Sequence, residues 1–409
     1  MDADSIRIHS APWIVPVSRL PIKAGGIAVS QGKILAVGEL PQVRQQYPHA
    51  EVVDHPHAVL TPALINSHIH LELSHLAALA AAPLDTTFTG WITRLLELRD
   101  SLGAVGELAE QAALQVAEQQ YRSGVSVLAD VGNTLIGRNL AASFPGVLFP
   151  YKEYLGLAES TLSKNLQRLD QENEATLCSG HAPYSTHPRL LQHLKERATA
   201  LGHVFPVHTA EPAAEGEMIR QGRGEMVDFV RQRGFWDGSF TPRGKGGSVH
   251  YLRDLGILDH RTLCIHAIHV ADEEIRIMAG EGVKVCLCPG SNRFLQAGKA
   301  PVQNYLDQGI LPALGTDSLA SNPEISLWRE MRLLAEAHPT VLPAEIFRMA
   351  TQGGAEALGL GHRLGTLEPG KEADLLAVPM PNNLKHAEQI YHFLVYDAGS
   401  LLQPTRIAQ

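Results

Sequence analysis

Eight short apolar runs recur along the 409-residue chain, and segments with helical patterns separate them. The runs are continuously apolar rather than alternating, which is typical of parallel strands that are buried on both faces. Strands of this kind in alternation with helices favour a parallel sheet, and eight strand–helix units predict an α/β protein with a (β/α)8 TIM barrel. The predicted strands span residues 59–66, 125–131, 146–152, 177–182, 204–208, 262–267, 283–288 and 310–315.

The segments between these runs carry helix signals. Leu108, Ala112 and Val116 recur at four-residue spacing within 107–122, and Ser123-Gly124 ends the pattern. Pro188 opens a second segment, in which leucines recur on one side until Gly202. Helices are therefore predicted at 107–122 and from Pro188 to the residue before Gly202.

The two ends of the chain have a different pattern. Residues 26–38 form two β-prone runs that Gln31-Gly32 joins, as in a hairpin, and a similar texture returns at 365–378. Neither end alone has enough strands to be stable. We therefore expect a small composite β-sandwich domain, built from residues 1–58 and 360–409, beside a catalytic barrel at 59–359.

Polar residues follow several of the predicted barrel strands. His68 and His70 end or follow strand 1, His208 ends strand 5, His266 ends strand 6, and Asp317 follows strand 8. In barrels of this type the chemistry lies at the C-terminal ends of the strands, so these side chains should converge at one mouth. Alternate residues of a strand share a face, so His68 and His70 can point toward one centre.

A metal ion is the ligand that this residue set suits best. A His-x-His pair with a further histidine and a carboxylate suits a borderline divalent cation, most of all Zn2+ but also Fe2+ or Mn2+. Two-metal barrel hydrolases often bridge their metals with a modified lysine on strand 4. The predicted strand 4 ends in Ser179-Gly-His-Ala-Pro-Tyr184, and Lys152 lies on strand 3, which favours one metal per chain.

Three residues are candidates for moving protons. Glu211 lies three residues after His208, where a carboxylate can take a proton from a metal-activated water and return it to a leaving group. The alternative for Glu211 is a surface glutamate that opens the next helix. Asp317 is a ligand, a general base or both, with a helix cap as its alternative. His266 is preferred to His269 for orienting the water, because His266 ends the apolar run directly.

Composition limits the partners of the protein. A net charge of −9 argues against nucleic acid, since a phosphate-binding surface needs an excess of Lys and Arg. Four cysteines in apolar runs are expected as reduced core thiols. The N-terminus lacks the pattern of a signal peptide, and the alanine-rich run at 76–84 is too short to span a membrane. We expect a cytoplasmic protein with a small-molecule substrate, and a homodimer stays open because large barrels often pair.

These motifs resemble those of the amidohydrolase superfamily. The resemblance covers nearly the whole chain and is closest to the branch that holds adenine-nucleoside, guanine and cytosine deaminases and the triazine hydrolases. The motifs that carry it are Pro62-Ala-Leu-Ile-Asn-Ser-His-Ile-His70, Cys288-Pro-Gly-Ser-Asn292, Gly315-Thr-Asp-Ser318 and Leu367-Glu-Pro-Gly-Lys-Glu-Ala-Asp374.

The resemblance implies roles for individual residues. It implies that one metal is bound by four ligands, that Glu211 shuttles the proton and that His266 assists the water. His181 matches a position that contacts the nucleoside sugar in adenosine-type deaminases. The implied reaction is hydrolytic deamination, in which ammonia leaves an amino-bearing ring carbon. The implied ligands are His68, His70, His208 and Asp317.

Within this branch, His70-Leu-Glu-Leu-Ser74 and Ser291-Asn-Arg-Phe-Leu295 resemble the aminodeoxyfutalosine deaminases of menaquinone synthesis. Such a substrate carries an adenine and a benzoate, and a cation such as Arg293 or Arg94 would meet the benzoate. The chain departs from the adenosylhomocysteine and methylthioadenosine deaminases, which usually carry an acidic residue downstream of the histidine pair that grips the ribose. Glu97 or Asp100 would have to fill that role here.

The leading expectation is therefore a one-metal enzyme that deaminates an adenine-type nucleoside, with 6-amino-6-deoxyfutalosine as the specific candidate. The alternatives are deamination of S-adenosylhomocysteine, methylthioadenosine or guanine, and, less favoured, dechlorination or amide hydrolysis by the same site. A scaffold without activity is disfavoured, because every expected ligand position is filled.

Overall fold

The computed structural model describes residues 6–238, 240–401 and 404–407. Residues 1–5, 402–403 and 408–409 of the predicted end domain lie outside this description. Within the described part of the chain, no helix is long and apolar enough to cross a membrane. In chain order the strands are β1 (Arg7–Ile14), β2 (Ile22–Ser30), β3 (Lys33–Glu39), β4 (Glu51–Asp54), β5 (Ala58–Pro62), β6 (Leu64–Ile69), β7 (Val125–Gly132), β8 (Val147–Tyr154), β9 (Cys178–Gly180), β10 (Phe205–Thr209), β11 (Thr262–His266), β12 (Lys284–Leu287), β13 (Ala313–Leu314), β14 (Leu375–Pro379) and β15 (Thr405–Arg406).

Strands β6 to β13 form the predicted barrel. They make two parallel four-stranded sheets, β6-β7-β8-β9 and β10-β11-β12-β13. The two halves are joined on both sides: His208 N donates to His181 O at 2.9 Å between β9 and β10, and Thr316 N donates to His68 O at 3.0 Å between β13 and β6. The TIM-barrel prediction is confirmed, and the carboxyl ends of all eight strands face one mouth.

The first predicted barrel strand, 59–66, differs from the structure. It is two strands, because the chain changes sheet between Pro62 and Leu64. β5 pairs with β1 and β14 in the sheet of the chain ends, whereas β6 pairs with β7 in the barrel. Proline has no backbone N–H to continue a ladder, and the next amide, Ala63 N, donates instead to Asp374 O at 3.0 Å. Apolar, buried residues lie on both sides of the break, so hydropathy does not separate the two strands.

A separate sheet combines the two ends of the chain, as predicted. Its strand order is β15-β14-β5-β1-β2-β3, and β4 pairs with β1. Gln31 and Gly32 make the hairpin turn between β2 and β3, with φ angles of 49° and 69° that suit a two-residue turn. The limits 1–58 and 360–409 for this domain stay a prediction.

Helices surround the barrel and bury its outer face. The predicted helices at 107–122 and 188–201 are confirmed, and Gly202 ends the second with a left-handed φ of 70°. The helices are α1 (Leu40–Gln46), α2 (Phe88–Leu102), α3 (Glu107–Arg122), α4 (Ile136–Ala141), α5 (Glu159–Asp170), α6 (Pro188–Leu201), α7 (Ala213–Gln221), α8 (Glu225–Gln232), α9 (Ser248–Asp254), α10 (Asp272–Gly280), α11 (Pro289–Phe294), α12 (Val302–Asp307), α13 (Leu327–Ala337), α14 (Pro343–Arg348), α15 (Gly354–Ala357), α16 (Ala387–Tyr396) and α17 (Ala398–Leu401). A 3-10 helix spans Leu71–Ala80 and a π-helical turn spans Met349–Gly353.

Two apolar layers hold the barrel together. Ile65, Val127 and Ile265 belong to the cluster that includes the barrel interior, and a larger cluster packs the strands against the helices. Full burial of each such side chain contributes about 1.5–3 kcal/mol. All four cysteines are buried and free, as expected for core thiols. This packing makes the strands a rigid frame for the polar residues at their ends.

Candidate metal centre

The structure brings five of the predicted site residues together at the barrel mouth. His68 lies on β6 and His70 directly follows it, His208 lies on β10, His266 ends β11, and Asp317 follows β13. Each is buried, with at most 9% of the residue exposed. The cluster therefore gathers residues up to 249 positions apart (317 − 68).

Unusual backbone angles aim these side chains. Ala210, His266 and Asp317 adopt left-handed φ angles of 51°, 67° and 57°, which non-glycine residues rarely do. Such conformations cost about 1–3 kcal/mol each and persist where the surrounding structure fixes them. Here they turn the chain sharply where strands end. The helix-cap alternative for Asp317 is not what the structure shows, because the next helix begins only at Leu327.

Gly315 allows β13 to approach β6 closely. A Cβ atom at this position would lie 2.8 Å from the His68 Cβ and 2.9 Å from the His68 carbonyl oxygen. Its φ angle is not left-handed, so close approach rather than a turn explains the glycine. The approach places Asp317 beside the histidines of β6.

The distances between donor atoms fit a single cation. His68 Nε2 and His208 Nε2 lie 3.3 Å apart. Two nitrogens that bind one zinc at about 2.0–2.1 Å with tetrahedral geometry are separated by about 3.3 Å. Asp317 Oδ1 lies 3.8 Å from His68 Nε2 and 3.6 Å from His70 Nε2. The four groups thus face one common point.

Hydrogen bonds at the far side of the rings set the direction of the lone pairs. His70 Nδ1 donates to Val131 O at 2.7 Å, and His208 Nδ1 donates to His181 O at 2.8 Å. A carbonyl only accepts, so both rings carry their proton on Nδ1 and turn an Nε2 lone pair toward the centre. This is the tautomer that a metal ligand needs.

The electrostatics of the cluster also suit a cation. Burial lowers the pKa of His208 to about 3 and holds the pKa of His68 well below its usual value, so both rings are neutral. Burial opposes ionisation of Asp317, but the facing histidines, His70 foremost, hold its pKa below its usual value. Burial alone would lower the pKa of His70, but the facing carboxylates, Asp317 foremost, raise it above its usual value. Binding of a divalent metal releases such a proton, because the metal needs the neutral imidazole and the ionised carboxylate as donors.

Glu211 and His266 form a pair beside this centre. His266 Nε2 lies 3.5 Å from Glu211 Oε1, and His266 Nδ1 is 3.0 Å from Asn292 Oδ1. Ala267 N donates to Thr209 O at 2.9 Å, which joins the ends of β10 and β11 and sets the pair side by side. Burial, together with the charge of Asp317, raises the pKa of Glu211 well above its usual value. A carboxyl group with a raised pKa is suited to accept and release a proton near neutral pH.

The other predicted residues lie elsewhere around the mouth. His181 is half-buried after β9, with Nδ1 2.5 Å from Ser185 Oγ and its ring 4.9 Å from that of His208. Glu97 is exposed on α2. Arg293 is exposed on α11 and lies 3.6 Å from Glu336. Among the described residues, neither Glu97 nor Arg293 forms an ion pair or hydrogen bond with the buried cluster, so their substrate contacts stay predictions.

Three further residues have their partners away from the buried cluster. Lys152 lies on β8, the third barrel strand, where it pairs with Glu172 on the outside of the barrel. His269 Nε2 bonds to Ala297 O at 2.6 Å, whereas His266 faces the cluster. Arg94, the other candidate for a benzoate, is exposed and pairs with Asp85 at 2.5 Å.

Sequence patterns do not identify some of the residues around the centre. Ser291 Oγ donates to Asp317 Oδ2 at 2.6 Å, and Asn292 holds His266. Both lie in the Cys288–Asn292 motif, but nothing in its spacing shows which side chains it supports. Glu153 lies 3.7 Å from His208 Nδ1. A carboxylate near the end of a barrel strand is a sign in the sequence of a site residue. The predicted strand, 146–152, ends one residue before Glu153, so this sign is missed.

The fold and the cluster define a barrel hydrolase with a divalent-metal centre. A family model described as the amidohydrolase family matches residues 59–398, and a second, an imidazolonepropionase-like composite domain of bacteria, matches residues 25–50. The chain therefore belongs to the amidohydrolase family.

Comparison with individual proteins finds the same fold, in proteins whose names are more specific than that of the family. The chain is 31% identical to a 5-methylthioadenosine/S-adenosylhomocysteine deaminase of Moorella thermoacetica, over 90% of this chain and 84% of that protein. It is similar to the aminofutalosine deaminase of Helicobacter pylori in complex with methylthio-coformycin, with a TM-score of 0.81, 25% identity and coverage of 95% and 96%. It is also similar to a zinc-bound adenosine deaminase of Xanthomonas campestris, with a TM-score of 0.74, 25% identity and coverage of 96% and 89%.

Proposed function

We propose that this metal-dependent amidohydrolase deaminates an adenine-type nucleoside by hydrolysis. The observation that carries the proposal is the convergence of correctly oriented imidazoles and a carboxylate on one buried point beside the Glu211–His266 pair. This arrangement contains both the ligands of a hydrolytic metal and a carboxyl group able to move a proton.

The ligands we assign are His68, His70, His208 and Asp317, and zinc is the cation we expect. When bound there, a divalent cation supplies a water that is activated at neutral pH. Glu211 Oε1 would accept a proton from that water and deliver it to a nitrogen of the purine ring, while the water oxygen adds to the amino-bearing ring carbon and ammonia leaves. His266 Nε2, held by Asn292, keeps Glu211 Oε1 oriented during both transfers.

The nature of the substrate rests on the relatives. The names of all three compared proteins refer to adenosine-type nucleosides: methylthioadenosine or adenosylhomocysteine, aminofutalosine, and adenosine. We place 6-amino-6-deoxyfutalosine first, because the chain matches the aminofutalosine deaminase over nearly the whole of both chains. Methylthioadenosine and adenosylhomocysteine are the second candidates, because the 31% identical relative carries their name.

A substrate panel separates these candidates. The zinc-loaded protein is incubated with aminodeoxyfutalosine, adenosylhomocysteine, methylthioadenosine, adenosine and guanine, and ammonia release is followed with the ultraviolet shift of adenine to hypoxanthine. Selective turnover of aminodeoxyfutalosine supports the first candidate. Selective turnover of the thio-nucleosides supports the second. No turnover of any adenine nucleoside contradicts the proposed function.

A further inference from the structure

Glu153 is a buried carboxylate at the barrel mouth that the mechanism above does not use. It lies near the end of β8, where side chains alternate between the two faces of the strand. Tyr151 belongs to the cluster of the barrel interior, and Lys152 pairs with Glu172 on the other face. Glu153 therefore points inward, and only 6% of its side chain is exposed.

Only one oxygen of this carboxylate has a hydrogen-bond donor. Asn133 Nδ2 donates to Glu153 Oε2 at 2.8 Å. Oε1 is buried and has no hydrogen-bond partner among the described residues. It lies 3.7 Å from His208 Nδ1, whose proton is already donated to His181 O. The free oxygen thus faces the Nδ1 edge of a proposed metal ligand without bonding to it.

Burial raises the pKa of Glu153, because a buried carboxylate oxygen without a donor is unfavourable unless a positive charge lies nearby. The nearest arginine in the network, Arg99, does not supply that charge directly. Arg99 Nη1 reaches Asn133 Oδ1 at 3.3 Å, and Arg99 Nη2 lies 3.3 Å from Glu72. The arginine therefore orients Asn133 and leaves Oε1 uncompensated. Besides the facing histidines, of which His70 has a raised pKa, the cation proposed on the opposite edge of His208 is the positive charge that would hold this carboxylate ionised.

We propose that Glu153 is a positioning residue for the metal centre. Its carboxylate, fixed by Asn133, stabilises His208 with the proton on Nδ1 and so raises the affinity of the centre for a divalent cation. The inference rests on the metal-ligand role proposed for His208 above. It adds Arg99, Asn133 and Glu153 as a chain of contacts between helix α2 and the metal.

A second metal ion is the competing explanation. Ligand atoms of Glu153, His181 and His208 lie within 4.8 Å of one another, as they would around a cation. His208 Nδ1, however, is the atom nearest to Glu153, and its proton is donated to His181 O. A role in orienting His208 therefore fits the contacts better than a role as a ligand.

The test compares Glu153→Gln with the wild type in metal affinity and in stability. Zinc affinity is measured by competition with a chromophoric chelator, starting from metal-free protein. Loss of an outer-shell partner typically weakens metal binding about 10–100-fold, and we expect a weakening in this range. In thermal unfolding, we expect Glu153→Gln to be at least as stable as the wild type without metal but less stable with zinc.

Two further variants make the result specific. Glu274→Gln is the matched control, because Glu274 is buried but both of its oxygens accept hydrogen bonds, from Gly247 N at 3.1 Å and Ala271 N at 3.0 Å. It should leave zinc affinity unchanged and lower the stability of both forms alike. Glu153→Asp keeps the charge and should bind zinc more tightly than Glu153→Gln.

The results that would overturn the positioning role of Glu153 differ from the result that would overturn the proposed function. Unchanged zinc affinity in Glu153→Gln, or an equal loss of stability in both forms, overturns the positioning role. So does loss of a second bound ion while the first is retained. If the wild type binds no divalent cation, the proposed function fails and this inference fails with it.

Discussion

Glu211 is the residue whose chemistry can be tested most cleanly, because it lies next to the cluster without being one of its proposed ligands. Its oxygen faces His266 Nε2 at 3.5 Å. Glu211→Gln keeps the shape but cannot carry the proton. We expect kcat/KM to fall about 10²–10⁴-fold, the usual range for loss of general acid–base catalysis, with one zinc still bound per chain.

The control for this substitution is Glu196→Gln, whose side chain is 73% exposed on α6. It should leave both activity and zinc content unchanged. Full activity in Glu211→Gln would remove Glu211 from the mechanism, and loss of zinc would make it a ligand instead.

The place of a residue in the chain decides whether the sequence alone predicts its role. His68, His208, His266 and Asp317 each stand where an apolar run ends, and barrel topology alone brings such positions together. Ser291 escapes this reasoning, because its importance depends on a hydrogen bond to Asp317 from a different strand end. Contacts between side chains of separate strands have no periodic signature in the sequence.

At the scale of elements, the seam between β6 and β13 depends on Gly315. Gly315→Ala would place a Cβ 2.8–2.9 Å from β6 side-chain and backbone atoms, so one strand must move. Overpacking of this kind costs about 1–3 kcal/mol. We expect the free energy of unfolding in denaturant to fall by that amount, with weaker zinc binding because Asp317 moves as well.

Gly280→Ala is the comparison for the seam, since a Cβ there meets no atom within 4 Å and the residue ends helix α10. It should be neutral or slightly stabilising. Equal stability of the two alanine variants would show that β13 is not held as closely to β6 as the contacts indicate.

Glu330 on helix α13 is hydrogen-bonded to the loops around the site, and its pKa is raised. Glu330 accepts hydrogen bonds from Gly290 N at 2.6 Å and Asn322 Nδ2 at 2.8 Å, and burial raises its pKa to about 8. Between its usual value of 4.5 and about 8, the folded state holds a proton that the unfolded state has lost. The contribution of Glu330 to stability therefore falls as pH rises through this window.

Unfolding in denaturant at pH 5 to 9 tests this prediction in the wild type and in Glu330→Gln. Because glutamine does not titrate, the stability of the variant relative to the wild type should rise with pH and level off above about pH 8. Parallel curves for the two proteins would mean that Glu330 does not hold this proton.

Sequence patterns predict the strands but not always the sheet to which a strand belongs. The barrel and the end sheet were both predictable, because eight buried runs and a β-prone pattern at both chain ends leave few arrangements. The change of sheet at Pro62–Leu64 was not, since apolar, buried residues continue on both sides of it. Which sheet a buried strand joins depends on its hydrogen-bond partners, and these are set by the whole fold.

At the scale of the whole molecule, the barrel acts as a frame that converts distant sequence positions into one centre. The packed interior fixes the strands, the strand ends turn sharply, and four donor groups meet where no single segment could supply them. The proposed substrate groups His181, Glu97 and Arg293 lie outside this packed frame or at its edge. Their roles depend on a bound ligand, which explains why pattern and fold predict the metal centre better than the substrate contacts.

The central claim is that this buried cluster is a one-metal centre that deaminates adenine-type nucleosides. The most direct measurement is the rate of ammonia release from such a nucleoside as zinc is added stepwise to the metal-free protein. We expect the rate to rise in proportion to zinc and to reach its plateau at one equivalent per chain. A rate independent of zinc, or a plateau at two equivalents, would contradict it.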